Sequence, residues 1–161
     1  MIDNNHCGNC TACCRVYNIP KFNKPAGKWC EHCAIGQGCK IYDDRPDVCR
    51  DFECLWLQSQ SIPGAVLGPE LRPDRCKVVF APSTNANYIS ATTMPGAPDA
   101  WRRPAVKDFI SRLVRKGNVS VVVGAPNTTD RIILSKDGMR SVKMTEPDEN
   151  GMQWNIREGV R

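Results

Sequence analysis

Nine of the ten cysteines of this 161-residue chain lie in its first third, close enough in sequence to act together. They are Cys7, Cys10, Cys13, Cys14, Cys30, Cys33, Cys39, Cys49 and Cys54, whereas Cys76 stands apart. Thiols at this density form disulfides, bind zinc or hold an iron–sulfur cluster. Each of these three chemistries would cross-link the segment.

The cysteine spacing is compatible with both metals. Cys7, Cys10 and Cys13 follow one another at intervals of three, the spacing with which ferredoxin loops wrap a cubane. A separate Cys-x2-Cys pair, Cys30 and Cys33, is the arrangement that zinc sites use. We expect the first loop to hold a [4Fe–4S] cluster, with zinc as the alternative.

The fourth thiolate of that cluster is expected from the segment 39–54, because a ligand that closes a long loop stabilises a fold most. Cys14, Cys30, Cys33 and the remaining later cysteines would then form a second site, for zinc, or be simply buried.

Metal is favoured over disulfides by the composition of the chain. The first sixty residues contain few aliphatic side chains, so burial alone does not offset the chain entropy, and we predict that this part folds only with metal bound. The N-terminal stretch lacks an apolar signal segment, and no run approaches the ~18 apolar residues of a membrane span. A reducing cytoplasm, where disulfides are rare, is the expected compartment.

The cysteine pattern resembles the CxxCxxCC family, a zinc- or iron-chelating domain. The matching residues are Cys7, Cys10, Cys13, Cys14, Gly38, Cys39, Ile41, Tyr42, Arg45, Pro46, Cys49, Arg50, Phe52 and Cys54. The resemblance covers about the first third of the chain, with a further likeness at 71–76. It implies that these cysteines chelate metal.

A more distant likeness is to bacterial flagellin lysine methylases. It rests on the double cysteine Cys13-Cys14 and on the segment from Gly38 to Tyr42. That group is associated with a [4Fe–4S] cluster, which supports iron–sulfur over zinc here. The rest of such an enzyme has no counterpart in this chain, so the likeness implies the cluster and not methyl transfer.

Other residues near the cysteines have both a functional and a structural interpretation. His6 and His32 are either ligands or hydrogen-bonding neighbours of ligands. Asp44, Arg45 and Arg50 either tune the charge on sulfur or cap a helix and lie in solvent. Cys76 begins a predicted strand and is expected to be a small buried hydrophobe.

The pattern predicts an α+β fold in one continuous domain. Residues 1–60 form the cysteine-rich part, 61–74 a connecting loop and 75–161 a small α+β unit in which one helix packs on an antiparallel sheet. Helices are predicted at 43–56 and from about Asp99 or Pro104 to Lys116, the second from apolar residues at i, i+3, i+4, i+7 and i+8. Strands are predicted at 76–80, 88–92, 119–123, 131–134, 139–145 and 152–156.

Function is predicted from the cysteines alone. The chain has no glycine-rich phosphate loop, metalloprotease motif or Ser-His-Asp order, which favours a non-enzyme while leaving the question open. We expect a metal-binding protein whose cluster stabilises a scaffold that docks on a protein partner or a larger assembly, a viral one included. A zinc-binding structural protein and an iron–sulfur redox component are the alternatives.

The charge argues against nucleic acid as a partner. The formal net charge is +5, but metal-bound cysteines are thiolates and would offset much of it. Neither nucleic acid nor a membrane is expected to bind, and the sequence does not indicate a small-molecule substrate.

Overall fold

Residues 7–76 contain only short elements in the computed structural model, which describes residues 7–83 and 87–146. The elements are helix α1 (Cys13–Val16), the two-stranded hairpin β1 (Cys33–Ala34) and β2 (Gly38–Cys39), and helices α2 (Asp47–Arg50), α3 (Leu55–Ser59) and α4 (Pro73–Cys76). Single turns of 3-10 helix lie at Pro20–Phe22, Tyr42–Asp44, Pro69–Leu71 and Ala100–Arg102.

A five-stranded sheet follows and confirms the α+β class. Its strands are β3 (Val78–Pro82), β4 (Tyr88–Thr93), β5 (Ser120–Gly124), β6 (Asp130–Ser135) and β7 (Gly138–Lys143), adjacent in that order. The prediction of a purely antiparallel sheet is wrong, because β4 and β5 pair in parallel. Helix α5 (Pro104–Lys116) lies between these two strands in the chain and provides the crossover that parallel neighbours require.

Helix α5 forms where the apolar periodicity predicts it. Pro104 occupies its first turn, where a missing N–H costs nothing. Val106, Phe109, Ile110 and Val114 are buried, and the Phe109 ring meets the Phe80 ring edge-on at a centroid distance of 5.0 Å. The helix therefore covers one face of the sheet.

The opposite face of the sheet is covered at β3 by the cysteine-rich part. Along β3, Val78 and Phe80 belong to the core under α5, whereas Val79 packs with Ala12 and Val16. Alternate side chains of a strand point to opposite faces, so β3 is buried on both sides. This packing fixes the start of the cysteine segment against the sheet.

The helix predicted at 43–56 is wrong in its continuity and in its cap. Helix α2 ends at Arg50, and Cys54, with extended φ and ψ of −73° and 161°, precedes the separate helix α3. No side chain caps α2, whose preceding residue is Pro46. The break has a packing reason, because Phe52 in the intervening segment lies against Tyr17 with ring centroids 4.9 Å apart.

The burial of Cys76 is confirmed, but its place in a strand is wrong. Pro73 starts α4, Cys76 ends it, and the strand begins at Val78. The Cys76 thiol is 3% exposed and lies 3.2 Å from the carbonyl oxygen of Val78, to which it donates. Burial raises the pKa of Cys76 to about 11.

The remaining predicted elements divide simply. Strands β4 to β7 confirm the strands predicted at 88–92, 119–123, 131–134 and 139–145, with ends shifted by a residue or two. The strand predicted at 152–156 lies outside the described residues. Among the helices that the structure describes, none is long and apolar enough to cross a membrane.

Candidate metal centre

Eight of the nine clustered cysteines line a single cavity of about 240 Å³, here called the cysteine cavity. They are Cys7, Cys10, Cys13, Cys14, Cys30, Cys33, Cys39 and Cys49. Cys54 is not part of the lining, but its charge acts on Cys7. Residues spread over more than forty positions of sequence are thus brought to one place.

The first four cysteines are positioned by two consecutive turns. The amide of Cys10 donates to the carbonyl of Cys7 at 3.0 Å, and that of Cys14 donates to Thr11 at 3.1 Å, where α1 begins. Successive turns of this kind bring residues three apart to the same side of the segment. The intervals of three between Cys7, Cys10 and Cys13 therefore place the three thiols on one side of the segment, where they could bind the same metal centre.

The hairpin of β1 and β2 positions the next group. Its register places Cys33 opposite Cys39, and the amide of Cys30 donates to the carbonyl of Cys14 at 3.1 Å. Gly38 in β2 has φ of +134°, a conformation that L side chains rarely adopt, and a Cβ there would lie 3.4 Å from the carbonyl oxygen of Gly8. The glycine before Cys39 thus allows the hairpin to approach the first turn.

Cys14 lies at the centre of a thiol network. The hydrogen bond that it accepts from Cys13 lowers the pKa of Cys14 to about 6, and a second from Cys33 and the charge of Lys24 act in the same direction against burial. Donating this hydrogen bond to Cys14 raises the pKa of Cys13 well above its usual value. Burial, with the Cys14 charge, raises the pKa of Cys33 to about 11.

The cysteines that act on one another's pKa values form two overlapping groups, because Cys14 of the second group also acts on Cys7 and Cys13 of the first. In the first, burial raises the pKa of Cys7 to about 11, with further increases from Cys54 and Cys10. Burial likewise raises the pKa of Cys54, and Cys10 adds to it. The first group is therefore Cys7, Cys10, Cys13 and Cys54.

The second group surrounds Cys14. Burial raises the pKa of Cys49, and the neighbouring thiols of Cys14, Cys30 and Cys39 raise it further. Cys33 has Cys14 and Cys30 as its neighbours. The second group is therefore Cys14, Cys30, Cys33, Cys39 and Cys49.

A buried lysine, which no sequence motif marks, lies among these thiols. Lys24 is 7% exposed, and its ammonium group donates to the carbonyls of Arg15, at 3.2 Å, and Tyr17. Burial lowers its pKa, whereas Cys30, Cys14, Cys13 and Cys49 raise it. Its charge offsets that of thiolates in the second group. An isolated backbone bridge to Ile19 holds Lys24 in place.

We expect Lys24→Met to destabilise the protein by about 1–3 kcal/mol, because two buried carbonyls lose their donor. Urea unfolding at fixed metal content measures the change. Lys21→Met, at an exposed position three residues earlier, is the matched control and should stay within about 0.5 kcal/mol of the parent. Equal stability of the two variants would contradict a structural role for the Lys24 ammonium.

The other polar candidates have distinct places. Arg45 lines the cysteine cavity, stacks on Tyr42 at 3.5 Å, and lowers the pKa of Cys7 and Cys49 against the larger effect of burial. His32 also lines the cavity, and its ring meets the Phe22 ring edge-on at a centroid distance of 4.6 Å.

Asp44 and Arg50 lie at exposed positions, and His6 is not among the residues that the structure describes. Asp44 is exposed, ends a 3-10 turn and does not cap α2. Arg50 is exposed and donates to the carbonyl of Arg45 at 3.0 Å. His6 lies outside the described residues.

The thiols are not arranged as a finished metal site. All ten cysteines, each of which the structure describes, are free of disulfides. Within residues 7–83 and 87–146, no three histidine, cysteine or carboxylate side chains are arranged to hold one metal ion. The donor set nevertheless fits zinc or an iron–sulfur cluster, since both take soft thiolates, and rotation about χ1 redirects each sulfur within the cavity.

Fold and site together define a cysteine-rich α+β protein with a thiol-lined cavity in its N-terminal part. No protein-family model, curated protein or solved structure matches the chain. The resemblance to the CxxCxxCC family therefore stays an expectation.

Proposed function

We propose that this chain is a metal-binding protein that holds a [4Fe–4S] cluster as a cross-link of its N-terminal part. The observation that carries the proposal is the convergence of eight cysteines on one cavity. Thiols gathered from distant positions have few other uses where disulfides are absent. Metal binding would join segments that otherwise share little apolar contact.

The two groups of neighbours suggest which thiols serve which centre. Cys7, Cys10 and Cys13 with Cys54 would hold the cluster, since Cys7, Cys13 and Cys54 each have Cys10 among their electrostatic neighbours. Cys14, Cys30, Cys33 and Cys49 would hold a second metal, with Cys39 beside them. If the hairpin of β1 and β2 supplies two ligands, Cys33 and Cys39, then Cys39 replaces one of the other three cysteines in this set.

The chain's own residues would contribute burial and charge. A [4Fe–4S] cluster supplies a rigid four-thiolate cross-link and the capacity for one-electron transfer. Lys24 and Arg45 provide positive charge next to the thiolates, and Tyr17 and Phe52 exclude water from one side. These side chains would favour the metal-bound state over an open, solvated loop.

A protein partner is the proposed target of this scaffold. Ile35 and Val48 in the cysteine-rich part, and Ile62 and Val66 in the following loop, are each more than half exposed. A partner that docks on this part of the chain would cover these side chains. Free thiols further suggest a reducing compartment, and the partner would be a single protein or a larger assembly.

Anaerobic purification followed by metal and acid-labile sulfide analysis tests the proposal. We expect a brown protein that absorbs near 400 nm and contains iron and sulfide in equal amounts. Cys13→Ser should abolish this absorbance, whereas Cys76→Ser, at a buried cysteine outside both groups, should retain it.

Two results would contradict the cluster. A colourless protein with stoichiometric zinc and no sulfide would establish the zinc-binding structural alternative instead. Full iron content in Cys13→Ser would exclude the assigned ligand set. A reversible midpoint potential of the brown protein would favour the redox component over a purely structural cross-link.

A further inference from the structure

A second cavity, here called the basic cleft, has a volume of about 560 Å³. The segment that carries the first four cysteines separates it from the cysteine cavity. Asn9, Ala12 and Arg15 line the basic cleft at intervals of three, and Thr11 contributes to both cavities. The two sides of one short segment thus serve two different cavities.

Three cations line the basic cleft without a matching acid. They are Arg15, Lys77 and Arg103, and none forms an ion pair with any residue in the described part of the chain. Asp74 also lines the cleft, but its carboxylate oxygen lies 2.9 Å from Nε of Arg72, which balances its charge. The cleft therefore has an excess of positive charge.

Helix capping explains part of this arrangement. Nη1 of Arg103 donates to the carbonyls of Arg75 and Cys76 at 3.2 and 3.3 Å, and Nζ of Lys77 donates to that of Asp74. Both cations thus complete the C-terminal end of α4, as basic residues commonly do. These bonds also hold the two charges in fixed positions at the rim of the cleft.

Capping does not explain Arg15. Its Nε is shielded from solvent and has no hydrogen-bond partner among the residues that the structure describes. Its guanidinium group lies 5.3 Å from the centre of the Trp29 ring, which also lines the cleft. The Arg15 guanidinium also has no acidic partner among the described residues, and an anion in the cleft would supply one.

We propose that the basic cleft binds a small molecule that carries a phosphate or carboxylate group. Arg15, Lys77 and Arg103 would hold the anionic group, since guanidinium and ammonium groups bind both kinds of oxyanion. Trp29, Met94 and Pro95 offer apolar surface to the rest of the molecule. The volume lies in the range of small-molecule sites, roughly 300–1,000 Å³, and favours such a ligand over an extended polymer.

Titration calorimetry on the metal-loaded full chain tests this site, with pyrophosphate and citrate as separate probes. We expect saturable binding of at least one probe, and the preferred probe distinguishes a phosphate ligand from a carboxylate one. Arg15→Gln should weaken that binding about tenfold or more, because a charge-assisted hydrogen bond is lost.

Arg102→Gln is the matched control. Arg102 is adjacent to Arg103 but lies outside the lining, 3.6 Å from Asp99 and stacked on Trp101. It should change the affinity by less than about twofold. If circular dichroism shows Arg15→Gln to be unfolded, Lys77→Gln takes its place, and it should also weaken binding.

Two outcomes would overturn the proposal. Neither probe binding saturably would exclude an anion site of this chemistry. An equal loss in Arg102→Gln and Arg15→Gln would show general attraction to a basic surface. The cleft proposal does not rest on the identity of the metal, so a zinc protein whose pyrophosphate binding is weakened by Arg15→Gln would support the cleft while contradicting the cluster.

Discussion

Phe109→Ala is expected to lower the free energy of unfolding by about 3–5 kcal/mol, as for other buried aromatic truncations. The ring is 6% exposed and meets Phe80 at an interplanar angle of 89°, so its removal leaves a cavity between α5 and the sheet. Thermal or urea unfolding of the purified variant measures the loss.

Lys107→Ala is the control for Phe109→Ala, because Lys107 is exposed on the same helix. It should change stability by no more than about 0.5 kcal/mol. A loss below about 1 kcal/mol for Phe109→Ala would mean that α5 does not depend on this contact with the sheet.

Removal of metal is expected to unfold the cysteine-rich part while leaving the sheet folded. Structural zinc contributes about 10–16 kcal/mol to the folding of small domains. The cysteine-rich part has few buried apolar side chains that could stabilise it without metal. The buried aliphatic residues between positions 7 and 60 are only Ala12, Val16, Ile19 and Leu57, among the residues described. The raised pKa values of most of the thiols mean that they return to the protonated form without metal.

Limited proteolysis before and after chelation measures this effect. Cleavage should appear within residues 1–60 and spare the sheet strands β5, β6 and β7. Restoring the metal anaerobically should restore resistance and serves as the control. Equal resistance with and without chelator would show that metal does not hold the N-terminal part together.

Elements with a strong local pattern were predictable from the sequence. Helix α5 has a continuous apolar stripe closed by Gly117, and β6 and β7 are joined by a turn at Lys136 and Asp137. Their geometry depends mainly on neighbouring residues, so periodicity and turn residues suffice. The convergence of the cysteines was likewise expected from their density.

What depended on tertiary packing was not predictable. The parallel pairing of β4 with β5 depends on where α5 docks, and the sequence of neither strand indicates which strand it pairs with. The break before Cys54 reflects the contact between Phe52 and Tyr17, which outweighs a helical pattern in the sequence. The burial of Lys24 depends on two backbone carbonyls that no side-chain pattern reveals.

The order of the strands has a consequence for how the chain folds. Every strand of the large sheet pairs with the next one in sequence, although the parallel pair joins Tyr88 to Ser120 across helix α5. These contacts need no ligand, whereas we expect the cysteine cavity, which joins residues from Cys7 to Cys49, to close stably only with metal bound. The sheet would thus form first and present the Val79 side of β3 as a template, on which metal insertion completes the N-terminal part as a late step.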